Sequence, residues 1–189
     1  MKVKLLQLAF LIASISYAQD TPTNELEKAS VGFNVGATNN GIGYNLNIQR
    51  EFDNKDYGIR VDFGYLAKRT NLSINNNLVS QTSRVRDQVY MVGAAFNYSF
   101  KKIIPDPFYA YAYLGGHYTN QIFNHSNKVD CDCYERPNPD YLGFYGGVEL
   151  QYRFTKRISL VAMYQTQQNF NSDIDKWQYL YGGGLKYNF

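Results

Sequence analysis

Residues 177–189 read WQYLYGGGLKYNF. Trp177, Tyr179, Tyr181, Leu185, Tyr187 and Phe189 fall on one side of an extended strand. Gln178, Gly182, Gly184, Lys186 and Asn188 fall on the other, with Leu180 as the exception. A period of two excludes a helix. An aromatic side on a strand that ends the chain on Phe189 suits a wall facing lipid better than a sheet facing water.

The same rhythm runs back through the chain. It predicts strands over 30–38, 42–52, 57–68, 87–100, 108–118, 141–154, 158–167 and 177–189. In the second, Tyr44, Leu46, Ile48 and Phe52 oppose Asn45, Asn47, Gln49 and Glu51. In the fourth, Tyr90, Val92, Ala94, Phe96, Tyr98 and Phe100 oppose Gly93, Ala95, Asn97 and Ser99. The fifth alternates Tyr109, Tyr111 and Tyr113 with Ala110, Ala112 and Leu114, so both sides are apolar and its facing stays open. Asn39-Asn40-Gly41 has the chemistry of a tight hairpin with positive φ. Short turns are expected after the second, fourth and sixth strands, the second of these stopped by Pro105 and Pro107. Long polar loops are expected over 69–86, 119–140 and 168–176. An even strand number puts both ends of the barrel on one side, so the short turns mark the periplasmic side and the long loops face outward.

The N-terminus reads MKVKLLQLAFLIASISYA. Lys2 and Lys4 precede an apolar run, and small residues stand at Ser16 and Ala18. This is the pattern of a secretory signal peptide over 1–18, too short an apolar run for a spanning helix. A polar leader follows at 19–29, then one barrel domain at 30–189. Loss of Lys2 and Lys4 with the first 18 residues leaves 17 basic against 16 acidic residues, which gives no case for nucleic acid. With 18 Tyr and 12 Phe, the composition suits a barrel with aromatic girdles.

Alternation alone also fits a soluble eight-stranded barrel with a ligand cavity. Four features favour the membrane: the export signal, the aromatics near strand ends, the rhythm of long and short connections, and charges of both signs on the polar faces. Those charges are Glu51, Arg60, Asp62, Glu149, Arg153 and Lys186. Set against lipid, a mid-strand Arg or Lys would cost roughly 2–4 kcal/mol, so they are expected to form a packed network in the lumen. The fold class is therefore all-β, an eight-stranded antiparallel up-and-down transmembrane β-barrel. Inward glycines at 64, 93, 143, 147, 182 and 184 would make room for Tyr145 and other large neighbours.

The export signal, the eight alternating strands and the ending Tyr187-x-Phe189 resemble the OmpA/OmpX-like small outer-membrane barrels. The resemblance covers essentially the whole chain after the signal and is one of pattern. It implies a Gram-negative outer membrane, contact with its lipid and lipopolysaccharide, and Tyr187 and Phe189 as a signal read by the barrel assembly machinery. Because the sequence stops at the barrel, the periplasmic peptidoglycan-binding domain of full-length OmpA-type proteins is expected to be missing.

Other chemistry is sparse. Cys131 and Cys133 sit in the longest loop as Cys-Asp-Cys. Export favours their oxidation, within the loop or between chains. A zinc role aided by His117 or His125 matches no standard ligand spacing. Barrels that acylate or deacylate lipopolysaccharide need a Ser beside a His, and no Ser is placed by pattern beside His117. Three sequons, at Asn71, Asn97 and Asn124, are chance matches. No cofactor is expected. The expected function is non-enzymatic, structural or surface-interacting through the long loops. A small channel and a lipid-modifying enzyme are the alternatives.

Overall fold

The computed structural model describes residues 29–52, 55–76, 79–124, 140–170 and 176–189, with the backbone alone for 70–76, 79–86 and 123–124. Eight strands follow in order: β1 (Ala29–Thr38), β2 (Gly41–Glu51), β3 (Tyr57–Asn76), β4 (Val79–Ser99), β5 (Phe108–Asn124), β6 (Asp140–Arg153), β7 (Ile158–Asn169) and β8 (Trp177–Asn188). Each pairs antiparallel with its sequence neighbour. β8 pairs with β1, from Ser30 opposite Asn188 to Thr38 opposite Leu180. The barrel is closed and no ladder edge is left along its wall, which is the condition for a sheet to cross lipid.

The end that carries Ala29 and Phe189 also carries the connections around 52–56, 100–107 and 154–157. Backbone bonds close this end. The Phe189 amide donates to the Ala29 carbonyl at 2.8 Å, and the Asn188 amide to the Arg157 carbonyl at 2.7 Å. In the 100–107 turn, hydrogen bonding and charge from Asp56 raise Lys102 above the ordinary ammonium range.

Several expectations need revision. β1 starts at Ala29, which pairs with Arg50, one residue inside the segment read as leader. The first hairpin turns on Asn39 and Asn40 alone, since Thr38 already opposes Gly41. No glycine among the described residues has positive φ. Gly41 is needed for close approach instead: a Cβ there would lie 1.9 Å from the Ala67 carbonyl oxygen.

The largest revision concerns 69–86, read as a loop because it is rich in Asn and Ser. It is a continuation of β3 and β4, paired from Arg69 opposite Arg86 to Asn76 opposite Val79. β2 stops pairing at Gly41 opposite Lys68, and β5 at Asn124 opposite Arg86. Beyond those points, among the described residues, β3 and β4 pair only with each other, over about 23 Å from Thr70 to Asn76 at ~3.3 Å per residue. β5 likewise continues to Asn124, past the predicted stop at 118.

β5 resolves its own ambiguity. Tyr109, Tyr111 and Tyr113 are buried inside, while Leu114 is 69% exposed outside. Register forces this choice, because Tyr109 opposes the buried Gln151 and Tyr111 the buried Glu149 of β6. Cross-strand partners share a face, so the tyrosines go in with the polar side.

Candidate functional site

Outward positions carry the large apolar side chains, and inward positions nearly all of the polar ones. On the outside, Phe96 is 72% exposed beside Leu114, its partner across the β4–β5 ladder. Toward the end with Ala29 and Phe189 the outward face turns aromatic. Phe52–Tyr57, Tyr98–Phe100, Phe108–Tyr152 and Tyr187–Phe189 form ring pairs 5.1–5.7 Å apart. Toward the opposite end Tyr44, Tyr65 and Tyr90 form a second aromatic row. An apolar band between two aromatic rows is the outline of a bilayer-spanning wall.

At the centre of the lumen lies an ion cluster. Alternation along β3 brings Arg60 and Asp62 inward, and β6 and β8 supply Glu149 and Lys186. The Arg60 guanidinium donates to Asp62 at 2.9 Å and to Glu149 at 2.7 Å. Its Cζ lies over the ring of Tyr113, 4.0 Å from the centroid. Lys186 pairs with Glu149 and donates to Gln49 at 3.1 Å. The Tyr145 hydroxyl donates to Asp62 at 2.8 Å, and Asn45 to Asp62 at 3.0 Å. Two cations meet two carboxylates, so the cluster is neutral. It joins β2, β3, β5, β6 and β8 across up to 137 residues of sequence. All four ionic residues are at most 1% exposed. At such burial, charges persist only with their counter-ions and hydrogen bonds in place.

Glycines shape this layer. A Cβ on Gly93 would lie 2.6 Å from the Tyr145 ring, and one on Gly147 2.6 Å from the Tyr113 hydroxyl. These two positions let tyrosines reach across the barrel axis. Beside the ionic layer, Leu66, Val89, Val161, Met163 and Leu180 form an apolar cluster inside the lumen. This accounts for Leu180, the one apolar residue on the polar side of β8: it packs against other inward apolar groups and helps fill the interior.

The six charges read as one network are not all brought together. Glu51 and Arg153 sit near the end with Ala29 and Phe189. Glu51 takes Lys101 at 3.2 Å and the Tyr111 hydroxyl at 2.9 Å. Arg153 stacks 4.3 Å over Tyr109. A further buried pair was missed in the sequence: Lys68 and Asp87, 3.5 Å apart, with Gln121 donating to Asp87 at 2.6 Å. Both lie at predicted strand ends, where a charge reads as solvated. The available signal was that they oppose each other across the β3–β4 ladder.

His117 is buried, with Nε2 2.8 Å from the Asn169 oxygen and its ring edge-on to Tyr145. No serine is hydrogen-bonded to it among the described residues. Cys131, Cys133, His125 and residues 1–28 lie outside the described residues.

Solved structures share this architecture at low identity. A major outer membrane protein from Thermus thermophilus matches with a TM-score of 0.67 at 16% identity, over 86% of this chain and 98% of that one. Neisserial surface protein A (NspA) matches at 0.57 and 14%, over 86% and 95%. Ail, the attachment invasion locus protein of Yersinia pestis, matches at 0.51 and 18%, over 86% and 97%. No protein-family model and no curated protein matches the chain. The likeness establishes the fold as that of the small eight-stranded outer-membrane barrels.

Proposed function

We propose that this chain is a non-enzymatic integral protein of a Gram-negative outer membrane, with a lumen that does not conduct and a surface ribbon that meets a partner outside the cell. Residues 1–18 direct export, and Tyr187 and Phe189 at the end of β8 are read by the assembly machinery. The wall packs against lipid and lipopolysaccharide. The observation that carries the reading is the filled interior. Arg60, Asp62, Glu149 and Lys186 lie across the axis at 0–1% exposure, with an apolar cluster beside them. An eight-stranded barrel is just wide enough for side chains to fill, and here they do. Planar-bilayer recording tests this: purified barrel at saturating insertion should give no steady conductance above the lipid baseline. Stable, ion-selective steps would make it a channel instead.

The β3–β4 ribbon supports the surface role. Among the described residues it begins where the β2 and β5 pairings end, at the end of the barrel opposite Ala29 and Phe189, and residues 69–76 and 79–86 contain Arg69, Arg84 and Arg86 with no acidic residue. Arg69 and Arg86 are direct cross-strand partners. Three arginines with no acidic residue among these positions suit an acidic partner. Ail, of the same fold, has been solved with the heparin analogue sucrose octasulfate. Replacing 69–86 with a two-residue turn should leave the boiled-versus-unboiled gel shift and the urea unfolding midpoint unchanged. Retention of cells on immobilised heparin should be lost. Failure of the shortened chain to fold would make the ribbon part of the scaffold.

A further inference from the structure

At the end carrying Ala29 and Phe189 the lumen opens into a recess of about 220 Å³, lined by Glu51, Lys101, Asp106, Tyr109, Tyr111 and Arg153 among others. Three of its four charged groups are answered within it. Lys101 and the Tyr111 hydroxyl hold Glu51, and the Tyr109 hydroxyl donates to Asp106. Arg153 is not. Its guanidinium lies on the Tyr109 ring, its Nε is buried with no hydrogen-bond partner, and no described carboxylate lies within ion-pair distance of it.

We propose that this recess binds a small monocarboxylate, with Arg153 gripping the carboxylate edge-on and Tyr109 fixing the plane of the guanidinium. A guanidinium stacked on a ring keeps its N–H edge free for a paired grip on a carboxylate. Glu51 and Asp106 in the lining disfavour multiply charged anions, so a carboxylate is preferred over phosphate. The volume holds about seven waters at ~30 Å³ each, which admits an acid the size of one residue and excludes a folded peptide. The recess is independent of the outer ribbon, and only the compartment it faces, the periplasm, rests on the proposed orientation.

The test uses the folded barrel in micelles with ¹⁵N-labelled arginine. N-acetylglycine, N-acetylglycinamide and inorganic phosphate are titrated while the Arg153 Nε–H resonance is followed. N-acetylglycine should give a saturable shift, the amide none, and phosphate a weaker response. Arg153→Gln should weaken N-acetylglycine binding by about tenfold or more, an effect of ~1.4 kcal/mol per decade. Arg153→Lys, which keeps the charge without the fork, should recover only part of it and serves as the comparison if the Gln variant does not fold. A shift with the amide equal to that with the acid, tighter binding of phosphate, undiminished binding to the variants, or no saturable shift at all would each overturn the proposal.

Discussion

Arg60→Met should destabilise the barrel by about 3–5 kcal/mol, the range for removing one partner from a buried ionic group. The methionine replaces most of the side-chain volume, so the loss is electrostatic. Asp62 would keep only the Tyr145 hydroxyl and Asn45, and Glu149 only Lys186 and Gln151. The cluster would carry one excess negative charge at 0–1% exposure. Urea unfolding in lipid vesicles, followed by gel mobility without boiling, measures the loss. The double variant Arg60→Met with Asp62→Asn restores neutrality around the surviving Glu149–Lys186 pair and should regain more than half of it. A water-filled lumen would behave otherwise. There the ions would be solvated, and the single variant would cost about 0–1 kcal/mol, as exposed ion pairs do. A loss under 1 kcal/mol, or a double variant no better than the single, would therefore contradict a dry, packed interior and reopen the case for a pore.

Why some of this was legible from the residues and some was not comes down to how many faces of a strand carry information. In β2 and β4 the two sides differ sharply, so Asn45 and Asn47 could be sent inward and Tyr90 and Phe96 outward from the sequence alone. In β5 both sides are apolar, and only pairing with Glu149 and Gln151 sends the tyrosines in. Tyr113 then lies under Arg60 in the ionic layer, and Tyr109 under Arg153 nearer the end with Ala29 and Phe189. Alternation also places Glu51 and Arg153 on the inner face but carries no height along the axis, so it could not separate them from the central cluster. Strand ends were least readable. The stretch 69–86 has polar turn-like composition, yet one continuous ladder holds it in a hairpin. Lys68 and Asp87 looked solvated because that ladder was not foreseen.

Leu114→Arg should cost about 2–4 kcal/mol, the range for a charged side chain facing lipid at the midplane. Leu114 stands outward on β5, 69% exposed, opposite Phe96 and between the aromatic row at Phe108 and the outward Tyr118. In a water-soluble barrel the same change at so exposed a position would be nearly neutral, within about 0.5 kcal/mol. The comparison that isolates lipid is Ile122→Arg, on the same strand and the same face, 43% exposed. Eight residues separate the two sites, about 26 Å along the strand at ~3.3 Å per residue. At a tilt of about 40° that is roughly 20 Å along the axis, beyond the edge of an apolar band ~25 Å tall centred near Leu114. Ile122→Arg should therefore cost only about 0–1 kcal/mol. Both are read by urea unfolding of barrels refolded into vesicles. A steep difference between the two requires a hydrophobic slab around the middle of the barrel. Equal costs at the two positions would mean that water, not hydrocarbon, surrounds Phe96 and Leu114, and the reading of this fold as a membrane wall would fail with them.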